Sequence, residues 1–172
     1  MLSLDLLLEA LALKALPRAG WVRKGVVAPE SVASHSWGVA WLVLALAPDG
    51  LDRGKALAYA TLHDLAEVRV GDLTPVDRVT PQEKARRERE AIAAMAPKML
   101  SLWDAFESGS DREARFVREL DKLDMALQAL AHYLAGCQGM AEFVDSADAA
   151  IRDPALRDWI DQIRARMQTS AR

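Results

Sequence analysis

Ala58-Tyr59-Ala60-Thr61-Leu62-His63-Asp64-Leu65-Ala66-Glu67 is the stretch whose reading decides the fold. Across residues 56–68 the side chains are apolar or near neutral on every face, and apart from Tyr59 the ionisable groups are His63, Asp64 and Glu67. A helix that is apolar all round belongs inside a protein. Imidazole and carboxylate groups inside a protein are costly unless hydrogen-bonded, paired or bound to a metal. Three of them so close together on a core helix ask for a common partner, and a divalent cation is the candidate.

Outward from this stretch the pattern stays helical. Residues 52–69 read as one helix, preceded by a helix over residues 29–47 that Pro29 opens, that carries His35 and that Pro48 and Gly50 stop. Leu4, Leu7, Leu8, Leu11 and Ala15, within the apolar run 2–16, predict an amphipathic first helix ended by Pro17, with residues 18–28 as a loop. After a loop over residues 70–79, Thr80, Pro81 and Glu83 supply an N-cap, a first-turn proline and a capping-box acid. That charged helix pairs Glu83 with Arg87 and Arg86 with Glu90 along a solvated face. A shorter helix is expected over residues 98–107. Ser110 and Glu113 form a second capping box, opening a long helix that Gly136 and Gly139 end. Its core stripe is Phe116, Leu120, Leu123, Leu127, Leu130 and Leu134, with Val117, Asp121, Asp124 and Gln128 beside it. Helices over residues 140–150 and, capped by Asp153 before Pro154, to about residue 168 complete the chain. No strand pattern persists, so the expected fold is all-α.

With 172 residues, one domain is expected, burying roughly 70% of its unfolded surface. Cys137 is the single cysteine, which excludes a disulfide framework and a four-thiolate zinc site and suits a reducing cytoplasmic setting. A net charge of -3 gives no general attraction to nucleic acid. The apolar runs are interrupted or too short to span a bilayer, so no membrane partner is expected. Trp37, Trp41, Trp103 and Trp159 read as core or interface residues.

Of the three histidines, His35 and His63 lie on otherwise apolar helices, and Asp121 and Asp124 interrupt a third helix. Imidazoles with short carboxylates make a mixed nitrogen and oxygen set suited to manganese, iron, cobalt or zinc, or to magnesium if water completes the shell. Taken alone, His35 reads as a hydrogen-bonded histidine near a helix start or as a ligand, and Asp121 as a partner of Lys122 or Arg118 or as a ligand. Arg18 alone is a surface cation or a phosphate fork, and Asp72 after Gly71 a turn residue. His132 has no acidic neighbour and reads as structural.

The order His35, His63-Asp64, Asp121 resembles the HD-domain metal-dependent phosphohydrolases. Longer phrases sharpen the likeness: Arg18-Ala19-Gly20-Trp21, Pro29-Glu30-Ser31-Val32-Ala33-Ser34-His35-Ser36, His63-Asp64-Leu65-Ala66-Glu67, Gly71-Asp72-Leu73-Thr74-Pro75 and Leu120-Asp121-Lys122-Leu123-Asp124 are similar to the YfbR and HD-domain-containing protein 2 type of 5'-deoxynucleotidase. The resemblance covers residues 16–135, the expected core of a single HD domain over residues 1–172, with helices over 140–168 packed on it. It implies that His35, His63, Asp64 and Asp121 hold the divalent ion, and that Glu67 is the catalytic acid/base. It further implies that Arg18, Trp21 and Asp72 meet the substrate, with Glu67, Asp72 and the Leu73 carbonyl available to a second cation. The chain departs from the pattern at Ser34, where an acid is common, and at Lys24, where arginine is expected.

The implied activity is that of a 5'-deoxynucleotidase, hydrolysis of (deoxy)nucleoside 5'-monophosphates to nucleoside and phosphate, by a cytoplasmic homodimer. Rival expectations are a phosphodiesterase, a triphosphohydrolase or an alarmone hydrolase on the same scaffold, and a non-catalytic helical module that retains a structural metal.

Overall fold

The computed structural model describes residues 3–170, and every named element among them is helical. The helices are α1 (Leu4–Leu11), α2 (Ala19–Arg23), α3 (Val32–Leu46), α4 (Arg53–Leu62), α5 (Glu67–Val70), α6 (Pro81–Met95), α7 (Leu100–Ser108), α8 (Arg112–Leu134), α9 (Ala141–Ala150) and α10 (Pro154–Ser170). Short 3-10 turns occupy Ala12–Lys14, Pro75–Asp77 and Pro97–Met99. An isolated bridge joins Pro17 to Ser31. Leu2 of the expected first helix and the ends of the expected domain lie outside the described residues.

The longest helix, α8, is the axis of the molecule. It packs against α3 and α4 on one side and α9 and α10 on the other. Its buried stripe begins as the leucine spacing predicts, with Phe116, Leu120 and Leu123, and takes in Val117 from the neighbouring stripe. One turn on it passes to Ala126 and Ala129, while Leu134 is half exposed. Each large side chain taken out of water contributes about 1.5–3 kcal/mol.

Several boundaries differ from the sequence expectation for physical reasons. The helix after Pro29 starts at Val32, because Ser31 is the N-cap and its hydroxyl accepts from the Ser34 N–H. Pro29 and Glu30 stay outside the helix, where the Glu30 carbonyl accepts from the Arg18 N–H at 3.0 Å. The expected helix over residues 52–69 is not continuous. After Leu62 the ladder tightens, with the Leu65 N–H on the Leu62 carbonyl and the Glu67 N–H on the Asp64 carbonyl, both at 3.0 Å. The chain then ends α5 at Gly71, whose φ of 83° suits a residue without a Cβ.

The N-cap of α8 is Asp111 and not Ser110, since Asp111 accepts from the Ala114 N–H at 2.8 Å. Glu113, the expected capping-box acid, instead accepts from the Asp52 N–H. Residues 18–28 contain α2, so they are not all loop. Thr80 caps α6 as expected, accepting from the Glu83 N–H.

The first helix departs most. Leu4, Leu7, Leu8 and Leu11 are 52–70% exposed, and no residue of α1 is buried. Trp37 and Trp41 on α3 are also exposed, whereas Trp103 is buried. No helix among the described residues is long and apolar enough to cross a membrane.

Candidate metal centre

Three separate parts of the chain supply the charged centre. His35 comes from the second turn of α3, His63 and Asp64 from the tightened turn after α4, and Asp121 from the middle of α8. His35 is fully buried and His63 nearly so. The His35 Nε2 lies 3.4 Å from the His63 Nε2, 3.6 Å from the Asp64 Oδ2 and 3.1 Å from the Asp121 Oδ1. The His63 Nε2 is 3.3 Å from the Asp64 Oδ2.

These separations test whether a cation fits. Donors bound at about 2.0–2.2 Å to one ion stand about 3.0 Å apart in an octahedron and about 3.5 Å apart in a tetrahedron. The observed spacings fall in that range. His35, His63 and Asp64 form the tight triad. Asp121 joins at its edge through His35, and its other oxygen accepts from Lys122 at 2.9 Å.

The imidazoles are aimed by their second nitrogens. The His63 Nδ1 lies 2.8 Å from the Ala60 carbonyl, so Nδ1 carries the proton and Nε2 keeps its lone pair for the centre. Burial alone would lower the His35 pKa, but its hydrogen bonds to Asp121 and Asp124 push it up to about 10. Burial raises Asp64, yet His63, His35 and Arg18 hold it well below the usual carboxylate range. Asp121 is likewise held low, by Lys122 and the two histidines, against its burial. The pocket is therefore a field that favours positive charge.

Glu67 begins α5, one turn after His63, and is 3% exposed. Burial, then Asp64 and Asp72, push its carboxyl up to about 9. Its Oε2 is buried without a hydrogen-bond partner. A buried unpaired carboxyl oxygen is costly, and here it fits a ligand to a second cation or an acceptor for a water proton.

Arg18 stands beside the triad, with Nη1 at 3.4 Å from the Asp64 Oδ2 and 3.8 Å from the Asp72 Oδ1. Asp72 is fixed by the Ala19 N–H, which donates to its Oδ2 at 2.7 Å. Leu73 follows on the same loop, next to Asp72.

Trp21 is not brought to the centre. It is 2% exposed, packs on Phe143 and His132, and its indole N–H donates to the Glu30 Oε1 at 2.9 Å. An indole offers a large apolar area with a single donor, and the core has claimed both.

His63, Asp64 and Asp121 open onto a cavity of about 730 Å³. Lys84, Glu88, Phe106, Glu107 and Arg118 line its remaining walls, whereas Arg18, Trp21 and Asp72 do not. Apart from Arg118, named as a partner reading for Asp121, these wall residues were not singled out from the sequence. The available signal was Glu88, an acid one turn ahead of the buried Ile92 on an otherwise solvated helix. Asp124, an interruption of α8 and the last residue of the 120–124 phrase, carries no role in the sequence reading and lies 2.7 Å from the His35 Nδ1.

A family model described as an HD domain matches residues 10–155. The chain belongs to the HD-domain family. This HD-domain chain is 34% identical over 171 residues to the Homo sapiens protein named 5'-deoxynucleotidase HDDC2, the alignment covering 92% of this chain and 82% of that one. Among solved structures, the PH0347 protein from Pyrococcus horikoshii OT3 superposes with a TM-score of 0.83 at 34% identity, covering 96% of this chain and 99% of that chain. The cyanophage S-2L HD phosphohydrolase DatZ, bound to dA and one catalytic Zn2+ ion, gives a TM-score of 0.62 at 21% identity, with coverages of 94% and 96%. At that identity the likeness is one of fold.

Proposed function

We propose that this HD-domain chain is a metal-dependent phosphomonoester hydrolase, a 5'-deoxynucleotidase that converts deoxynucleoside 5'-monophosphates to nucleoside and phosphate. The observation supporting it most strongly is the convergence of His35 with His63, Asp64 and Asp121, the last three opening onto a cavity of about 730 Å³, which is within the range of small-ligand pockets. The human relative named a 5'-deoxynucleotidase supports the choice of substrate.

His35, His63, Asp64 and Asp121 hold the divalent ion in this reading. What such an ion supplies is Lewis acidity, making a water acidic near neutral pH and screening charge on phosphoryl oxygens. With an ion in the triad offsetting the Asp64 and Asp72 charges that add to burial in raising its pKa, Glu67 ionises, takes the proton of the attacking water on its free carboxyl oxygen and returns it to the leaving sugar oxygen. Arg18, 3.4 Å from Asp64, presents its planar fork to the phosphoryl group beside that carboxylate. Asp72 sets the Arg18 position, and with Glu67 and the Leu73 carbonyl it offers room for a second cation.

The whole chain acts as one domain in this proposal, working in the cytoplasm, where an unpaired Cys137 is at home. Its partner is a second copy of itself. The exposed leucines of α1 adjoin a groove of about 770 Å³ lined by Leu11, Trp37, Leu57, Leu65 and Met99. An apolar surface of this extent supports an interface.

The test is phosphate release from dAMP, dCMP, dGMP, dTMP and dUMP with manganese, cobalt and magnesium, beside triphosphates and cyclic diesters. Metal-dependent release from monophosphates alone is expected. No release from any of the five would overturn the proposal.

A further inference from the structure

We infer that Asp124 is a positioning residue that fixes the tautomer and ring angle of His35, and that Gly38 is the gap in α3 that admits it. The inference rests on the reading of His35 as a metal ligand. The Asp124 Oδ2 lies 2.7 Å from the His35 Nδ1, across 89 residues of chain. An ionised carboxylate only accepts, and a neutral imidazole carries one proton. With an ion on Nε2, the atom that faces His63, Asp64 and Asp121, the one proton left on the ring is the Nδ1–H donated to Asp124. The opposite tautomer would point an N–H at the His63 Nε2 and leave no lone pair for an ion.

Two observations separate this arrangement from a chance contact. A Cβ built on Gly38 would stand 2.1 Å from the Asp124 Oδ1, far inside any real contact distance. Gly38 lies in the interior of α3, one turn after His35, where glycine otherwise weakens a helix. Asp124 occupies the volume that any other residue at position 38 would take.

Glu30, His35 and Asp124 also form a group of metal-ligand type. The 2.7 Å separation is a hydrogen bond, however, shorter than the roughly 3.0–3.5 Å between two donors on one ion. The Glu30 Oε1 is engaged by the Trp21 indole. His63 solves the same problem with a neutral acceptor, the Ala60 carbonyl. The carboxylate behind His35 adds charge, which raises the basicity of the ring and so its hold on an ion.

The experiment uses the full chain and its Asp124→Asn, Asp124→Leu and Gly38→Ala variants, with zinc ion as the probe. Chelator competition gives zinc affinity, and long-range proton–nitrogen spectra of the zinc-loaded chain report which His35 nitrogen carries the proton. Circular dichroism and melting check the fold. Expected are a 10–100-fold loss of affinity in Asp124→Leu with loss of the His35 Nδ1–H signal, and a smaller loss in Asp124→Asn, which keeps an acceptor. Gly38→Ala should weaken zinc binding although it touches no ligand, and should add nothing in the Asp124→Leu background. Unchanged affinity and an unchanged Nδ1–H signal in Asp124→Leu, or in Asp124→Asn and Gly38→Ala if the leucine variant does not fold, overturn the inference while the hydrolase reading stands. No zinc binding by the parent chain overturns the inference, whereas the hydrolase reading falls only with absent phosphate release under manganese, cobalt and magnesium.

Discussion

Glu67 is the residue on which the proposed chemistry turns, because its Oε2 is buried without a partner beside a centre that favours positive charge. Glu67→Gln keeps the shape and removes the proton acceptor. The expected outcome is retained metal content with turnover reduced about 10²–10⁴-fold, checked by metal analysis and steady-state rates. His63→Ala should instead lose both metal and activity. At this scale the sequence was partly legible. His63 and Asp64 declare themselves because charge inside an apolar helix needs a partner. Asp124 did not, since a carboxylate on a half-buried helix face has the same pattern whether it meets solvent or an imidazole. Trp21 illustrates the reverse: the family resemblance implied a substrate contact, yet Glu30 and Phe143 hold it in the core.

Helix capping decides the intermediate scale. Asp111 closes the N-terminus of α8 and also accepts from the Tyr59 hydroxyl at 2.7 Å and from Lys55 at 2.7 Å. Asp111→Ala should cost about 2 kcal/mol, since it removes a cap and leaves a buried phenol unpaired. Burial raises the Asp111 pKa, but Lys55, the Ala114 N–H and Tyr59 bring it down to about 2. The folded value is below the unfolded one, so this stabilisation is present above pH ~4 and is lost as the pH falls toward 2. Melting curves across that window should show a pH dependence that the alanine variant lacks. Leu120→Ala, at the buried centre of the same helix, should cost about 2–5 kcal/mol by denaturant titration. Helix existence was legible throughout because apolar periodicity and proline signals are local. The tightening after Leu62 was not, because it answers Glu67 and Gly71 together with their neighbours in space.

For the molecule as a whole, the exposed leucines of α1 are the largest departure from expectation. Amphipathic spacing predicts an apolar face but not what covers it. Sedimentation should give twice the chain mass of 18.9 kDa, and Leu8→Glu with Trp37→Glu should give one chain mass, if this face is the interface. Divalent ion should also raise the melting temperature, by an amount equivalent to about 2.7 kcal/mol at a hundred times its dissociation constant, and a chelator should reverse it. The candidate ligands come from α3, the turn after α4, and α8, so an ion would tie together three segments far apart along the chain. A cell short of metal would then lose more than catalysis: degradation machinery recognises the opened chain, so the standing amount of this protein would follow the mineral supply of its surroundings.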